Sequence, residues 1–243
     1  MVATKALLSL HGISKTYRTD EVETAALAGI DLEIDVGEFV AIMGPSGCGK
    51  STLLNVLGML DSPTGGQYVF QGEDIAGYNE SRLARLRKRH IGIIFQDFHL
   101  IDELSVRENI ELALLYQSVS AGARRARANE VMDQVGSAHR ANHRPGQLSG
   151  GQQQRVAVAR ALIAKPDLIL ADEPTGNLDS VHGEEVMGML RRLNEQGATI
   201  VMVTHSPAHA DWAKRTVNLL DGRVVAHDLR QAIRGDLGCF AII

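Results

Sequence analysis

Hydrophobic and polar positions follow two regimes along the chain. Near the N-terminus, "LLSLHGISKTY" (residues 7–17) and "TAALAGIDLEI" (24–34) alternate roughly one for one, the period of strands with one buried face. "EFVAIMG" (38–44) is a nearly unbroken apolar run, which predicts a strand buried on both faces. Residues 50–60 predict a helix, stopped by the turn-forming "DSPTGG". The short strands "QYVFQG" and "IGIIFQ" flank a basic helix over 79–90. From about Ser105 to Lys165 the pattern turns almost wholly helical. Strands return as "LILAD", "TIVMVTH", "TVNLLDG" and "RVVAH", with a helix over 181–196 between the first two. The pattern predicts a strand-rich α/β core carrying a helical insertion, with no internal repeat and no low-complexity linker.

Composition narrows the classes. At 243 residues and 44% hydrophobic, the chain can bury a full core. A net charge of −4 argues against a dedicated nucleic-acid binder, since affinity for a polyanion comes from Lys and Arg neutralising phosphates. The two cysteines, Cys48 and Cys239, sit in unrelated settings and suit a reducing cytosol. "MVATKALLSLHG" is too poor in charge and apolar length for a signal peptide. No apolar run approaches the ~18 residues of a spanning helix. The chain is expected to stay inside the cell, with the basic "SRLARLRKRH" and "ARRARANE" stretches as solvated faces.

Candidate chemistry begins at "GPSGCGKST", Gly44 to Thr52, a match to G-x-x-x-x-G-K-[ST] between a predicted buried strand and a predicted helix. Gly44, Gly47 and Gly49 allow a tight loop whose N–H groups surround phosphates, with Pro45, Ser46 and Cys48 between them. Lys50 supplies a point charge at the β- and γ-phosphates, and Ser51 a hydroxyl for Mg²⁺. In "LILADEP" a buried strand delivers Asp172 and Glu173 to its C-terminal end, where α/β sheets place ligands. Adjacent carboxylates need different work: Asp172 can hold Mg²⁺, and Glu173 can polarise the water that attacks the γ-phosphate. No N-K-x-D segment is present to read guanine, so ATP is favoured. A third stretch, "LSGGQQQR" (148–155), places a serine and two glycines at the start of a helix, where unpaired N–H groups attract anions.

With "GPSGCGKST", "LSGGQ" and "LILADEP" in this order, the chain resembles the nucleotide-binding subunit of ATP-binding cassette transporters over about residues 7 to 228. The resemblance implies a P-loop NTPase core with a mostly parallel sheet, an N-terminal antiparallel β subdomain and an α-helical subdomain over about 97–165. It implies one ATPase domain over 1–228, an ATP-to-ADP hydrolysis reaction, and ATP and Mg²⁺ as ligands. Tyr17 matches the aromatic that stacks on adenine, and Gln96 the glutamine that links Mg²⁺ and water to the helical part. Asp179, in "NLDS", matches the acid joining the two active sites, and His205 the histidine that contacts the γ-phosphate. The remaining histidines read as structural; His205 and His209 are i, i+4 but lack the further ligands of a metal site.

In this family Ser149, Gly150, Gly151 and Gln152 close over ATP held by a second subunit, here expected to be a second copy. The implied load is a separate transmembrane permease subunit, which would hold the chain on the cytoplasmic membrane face without direct membrane contact. A short helix of that partner would dock on "QDFHLIDELSVREN", where Phe98, Leu100, Ile101 and Leu104 are apolar; packing within the helical part is the competing reading. Longer stretches, including "ADEPTGNLDS", look like the macrolide-export and lipoprotein-release group, apart from Asp102 where that group often has proline. A cassette of the signalling or cell-division type, moving a membrane partner without transport, would share every motif. The tail over 229–243, "RQAIRGDLGCFAII" with the leucine before it at its start, lies outside the resemblance and is assigned no role.

Overall fold

The computed structural model describes residues 6–18 and 23–225. The tail with Cys239, and the last two residues of the expected "RVVAH" strand, lie outside the described residues. Two sheets organise the chain. Strands β1 (Ala6–Arg18) and β2 (Glu23–Asp35) pair antiparallel, and with β4 (Gly65–Phe70) and β5 (Glu73–Asp74) form a sheet of order β2-β1-β4-β5. The second sheet contains β3 (Phe39–Met43), β6 (Ile91–Ile94), β7 (Leu168–Asp172), β8 (Thr199–Val203), β9 (Arg215–Leu220) and β10 (Arg223–Val225). Its order is β10-β9-β3-β8-β7-β6, parallel throughout except for the β9–β10 hairpin.

The continuous apolar runs are explained by two cores on opposite faces of the parallel sheet. Val40 and Ile42 of β3, Leu168 and Leu170 of β7, and Val201 and Val203 of β8 enter one core with β1, β2 and helix α1 (Lys50–Leu57). Their alternates, Phe39 and Ala41, Ile169 and Ala171, Ile200 and Met202, enter the other. A strand covered on both sides needs apolar residues at every position, whereas β2, half solvated, alternates cleanly from Ile30 to Ile34. The alternation expected along β1 holds only from Ile13 to Lys15, because Leu7 to Leu10 are buried in succession.

The second core is completed by α3 (Val106–Leu115), α4 (Ala121–Gln134), α5 (Gly150–Leu162) and α6 (Ser180–Glu195). The stretch from Ser105 to Lys165 is less uniformly helical than its pattern predicts. Short 3-10 turns at Ala138–Arg140 and Pro145–Gln147 separate α4 from α5, where Gly136 turns left-handed and Pro145 cannot donate to a preceding turn. The helix expected over 50–60 stops at Leu57, with Gly58 as its cap. A short helix α7 (Pro207–Ala210), capped by Ser206, follows β8 without having been expected.

The basic helix, α2 (Glu80–His90), also differs from a purely solvated face. Arg87 reaches back to the Met59 carbonyl and to Glu80, Arg82 stacks on the Tyr78 ring at 3.6 Å, and Lys88 donates to the Tyr116 carbonyl. In "ARRARANE", Arg124 donates to the Val119 carbonyl at 2.8 Å. Arg87, Lys88 and Arg124 thus give donors to the fold, while Arg82, Arg85, Lys88 and Arg89 remain exposed on the solvated face that was expected.

Candidate functional site

The parallel strands β3, β8, β7 and β6 end on the same side, and their C-terminal ends carry Gly44, His205, Asp172 with Glu173, and Gln96. Four sequence-distant segments are brought to one edge by register alone, the position where open α/β sheets bind ligands.

The loop after β3 runs from Gly44 through Pro45, Ser46, Gly47 and Cys48 to Gly49, which opens α1 at φ 103°. A side chain at Gly49 would be strained by that φ and would run into the Ala26 carbonyl of β2. Every other α-helix among the described residues has a side-chain N-cap: Asn79, Ser105, Ser120, Ser149, Asp179 or Ser206. The start of α1 has none, so its first-turn N–H groups are left for an anion. Lys50 folds over this loop, its Nζ donating to the Gly44 carbonyl at 2.9 Å and the Pro45 carbonyl at 2.8 Å. Ser51, one residue on, is exposed, and Thr52 is half-buried.

Asp172 ends β7. Burial pushes its carboxyl above the usual range, the neighbouring Glu173 charge adds to that, and Lys50 pulls the other way. Glu173 occupies the left-handed region at φ 47°, uncommon for a residue with a side chain. Its N–H is held by the Val203 carbonyl of β8 at 3.0 Å, and its carboxylate contacts Nδ1 of the exposed His205. The candidate acid and histidine are therefore adjacent, delivered by neighbouring strands.

Gln96 lies on the loop after β6, with its amide against Gly176. Asn177, the first residue of "NLDS" and without a role legible in the sequence, donates to Gln96 O at 3.2 Å and to Asp97 Oδ1 at 2.8 Å. Farther along the same loop, Asp179 caps α6 and holds His182 at 2.7 Å, and these bonds keep the exposed carboxylate below its usual range. The ring of His182 in turn faces Gly151: a Cβ built there would fall 2.5 Å from the imidazole Cδ2. His182 was not singled out in the sequence, where only its spacing from Asp179 could have marked it.

Ser149 closes a reciprocal box at the start of α5, accepting from Gln152 N at 3.4 Å while Gln152 Oε1 accepts from Ser149 N at 3.1 Å. The expected unpaired helix start is thus partly self-capped, with Ser149 exposed. Built on Gly150 and Gly151, side chains would meet Leu178 and His182, so this stretch sits beside the Asp179 loop of its own chain. Tyr17, 42% exposed at the end of β1, donates to Asp61 Oδ2 at 2.8 Å. Burial and the Asp61 bond raise its hydroxyl above the usual range, against a hydrogen bond with Thr52 of α1 that lowers it.

In the loop after Gln96, the four apolar residues separate. Leu100 packs against the second core, Ile101 is 43% exposed, and Phe98 and Leu104 are half-buried. Phe98 and His99 both take positive φ and their carbonyls accept from Arg160. Asn109, fully buried, ties Ile101 through both its backbone groups, at 2.8 and 3.0 Å.

A glycine loop ending in a lysine, an uncapped helix start and paired carboxylates at the end of β7, two strands away, define a phosphate-loop nucleotide hydrolase. Residues 27–176 match the "ABC transporter" family model, and the chain belongs to that family as its ATP-binding, ATP-hydrolysing cassette. It is 47% identical to an uncharacterized ABC transporter ATP-binding protein of Thermotoga maritima, over 96% of this chain and 99% of that one. It is 50% identical to the macrolide export ATP-binding/permease protein MacB of Azoarcus sp. strain BH72, over 90% of this chain. The chain spans only 34% of the length of that relative. A dimeric ATP-binding cassette solved in a post-hydrolysis state with ADP and Pi superposes at a TM-score of 0.83, with 44% identity, over 91% of this chain and 97% of that one. Among the described residues no helix is long and apolar enough to cross a membrane.

Proposed function

We propose that two copies of this chain pair around two ATP molecules and drive a separate transmembrane permease subunit of the macrolide-export type. The chain would act from the cytoplasmic membrane face, as a single ATPase domain over 1–228. The kinship to MacB, whose name joins ATP-binding and permease parts, supports the membrane partner. The observation carrying the paired arrangement is the setting of Ser149, exposed at a helix start and packed beside the Asp179 loop. A phosphate contact made there would serve a neighbour's nucleotide, with Asp179 in the adjoining loop.

Within one chain the roles divide by chemistry. Lys50 would exchange its two loop carbonyls for β- and γ-phosphate oxygens, a charged partner in place of neutral ones. Tyr17 would stack on adenine, anchored through its hydroxyl to Asp61. The hydroxyl of Ser51, the carboxylate of Asp172 and the amide of Gln96 are all hard oxygen donors, and a half-buried carboxylate beside a second one gains from a cation. These three would hold Mg²⁺, which supplies charge neutralisation at the phosphates when bound. Glu173 would orient and polarise the attacking water, with His205 steadying its carboxylate and reaching the γ-phosphate. Phe98, Ile101 and Leu104 would form the seat for the permease helix, while the packed Leu100 supports it from below.

Glu173→Gln with ATP and Mg²⁺ tests the pairing. Light scattering should find a dimer in ATP and much less in ADP, and adding Ser149→Arg should dissolve it. A Glu173→Gln chain that stays monomeric in saturating ATP, alone and in the intact complex with its membrane partner, would overturn the paired reading.

A further inference from the structure

Gln154 is fully buried in the middle of α5 and belongs to no site so far described. Its Nε2 donates to the Pro174 carbonyl at 2.6 Å and to the Phe95 carbonyl at 3.4 Å. Two carbonyl acceptors fix the orientation of the amide, because only its –NH₂ end can donate. Its Oε1 is left buried without a hydrogen-bond partner. A glutamine in an apolar helix face is costly, and one with an orphaned oxygen more so. A methionine or leucine would fill the same space without that cost, so the two donated bonds are what the amide contributes.

The acceptors are telling. Phe95 precedes Gln96, and Pro174 follows Glu173. Glu173 is held in the left-handed region and stands before a proline, where the backbone is doubly restricted. Such a conformation persists only where its surroundings impose it. The surroundings here are the Val203 carbonyl on the Glu173 N–H, the Gly176 N–H on the Glu173 carbonyl at 2.9 Å, and Gln154 on the next carbonyl. Of these, Gln154 alone comes from α5, the helix that begins at Ser149.

We propose that Gln154 is a positioning residue for hydrolysis: its amide pins the backbone beside both Glu173 and Gln96, so that displacement of α5 is felt at the attacking water's site in the same chain. This rests on the hydrolytic role given above to Glu173, but not on pairing, since both carbonyls belong to the same chain as the amide. The short bond to Pro174 carries most of the restraint, and the longer one to Phe95 keeps the glutamine loop in step.

The test is steady-state ATPase of the full chain together with ATP affinity, measured by fluorescence of a labelled ATP, and melting temperature. Gln154→Met keeps the volume and removes both donors. We expect kcat to fall at least 10-fold while the nucleotide Kd stays within 2-fold and KM for ATP hardly moves. A general loosening of the fold would shift Kd as well, and that result, or an unchanged kcat, overturns the proposal. Should the methionine variant fail to fold, Gln154→Asn keeps an amide but is one methylene short of spanning both carbonyls. It should lose kcat with Kd preserved, and wild-type kcat in that variant overturns the proposal equally. Loss of ATPase in Gln154→Met alongside a monomeric Glu173→Gln chain would break the pairing and leave the Gln154 assignment standing.

Discussion

Gln96 and Asn177 hold each other from both sides: Gln96 Nε2 donates to Asn177 Oδ1 at 3.3 Å, and Asn177 Nδ2 donates back to the Gln96 carbonyl. The loop after β6 and the loop after β7 therefore move as one. Asp97 joins the pair, accepting from the same amide. A segment expected to sense a membrane partner is in this way tied to the segment carrying Asp179.

Lys50→Ala should remove tight ATP binding. A charge-assisted bond to phosphate contributes roughly 1.5–3 kcal/mol, so affinity should drop about 10- to 100-fold. Isothermal titration at fixed Mg²⁺ reads it directly, and unchanged affinity would contradict the phosphate-loop assignment.

Phe98→Asp separates docking from packing. Phe98 is half-buried, and its carbonyl rather than its ring is what Arg160 holds. Co-purification with the permease should fall well below wild type while the melting temperature of the chain alone changes by only a few degrees. A collapse of the isolated fold would instead favour a purely packing role.

Gly151→Ala should be destabilising through one neighbour. The added methyl meets the His182 ring, and overpacking of this kind costs about 2 kcal/mol. That corresponds to roughly 4–8 °C in Tm for a chain of this size. His182→Ala in the same chain removes the obstacle and should recover at least half of the loss by thermal melting. No recovery would mean that the contact with His182 is not the source.

Asp61 offers a stability test with a definite pH window. Burial alone would raise its carboxyl, but bonds from Lys15 at 2.5 Å and from Tyr17, with the Lys15 charge, hold it below its ordinary value of 3.8. A depressed folded-state pKa stabilises the fold above the unfolded value and loses that contribution as pH falls through the folded one. Asp61→Asn should therefore cost about 1 kcal/mol at pH 7, roughly 2–4 °C in Tm. The gap to wild type should narrow only once the pH drops below about 4. A gap that is the same at pH 3 and pH 7 would show that the charge is not responsible.

Much of this was legible before any coordinates. "EFVAIMG", "LILAD" and "TIVMVTH" are apolar at successive positions because both faces are covered, and the residues that follow them are those that meet at the sheet edge. Leu100 and Ile101 show the limit: both are apolar, yet one packs and the other is exposed, since apolarity does not state a face. Gln154 was invisible for another reason. Its partners lie 59 and 20 residues away, and nothing local distinguishes it from the glutamines beside it.

The alternation along β3 has a last consequence, for how the chain comes apart. Phe39 and Ala41 belong to one core, Val40 and Ile42 to the other, so a five-residue strand is the wall of both. Neither side can melt without stripping cover from that wall and exposing the other. Heat or denaturant should meet a single cooperative transition, and a lesion at Phe39 should weaken the antiparallel sheet's side as surely as its own.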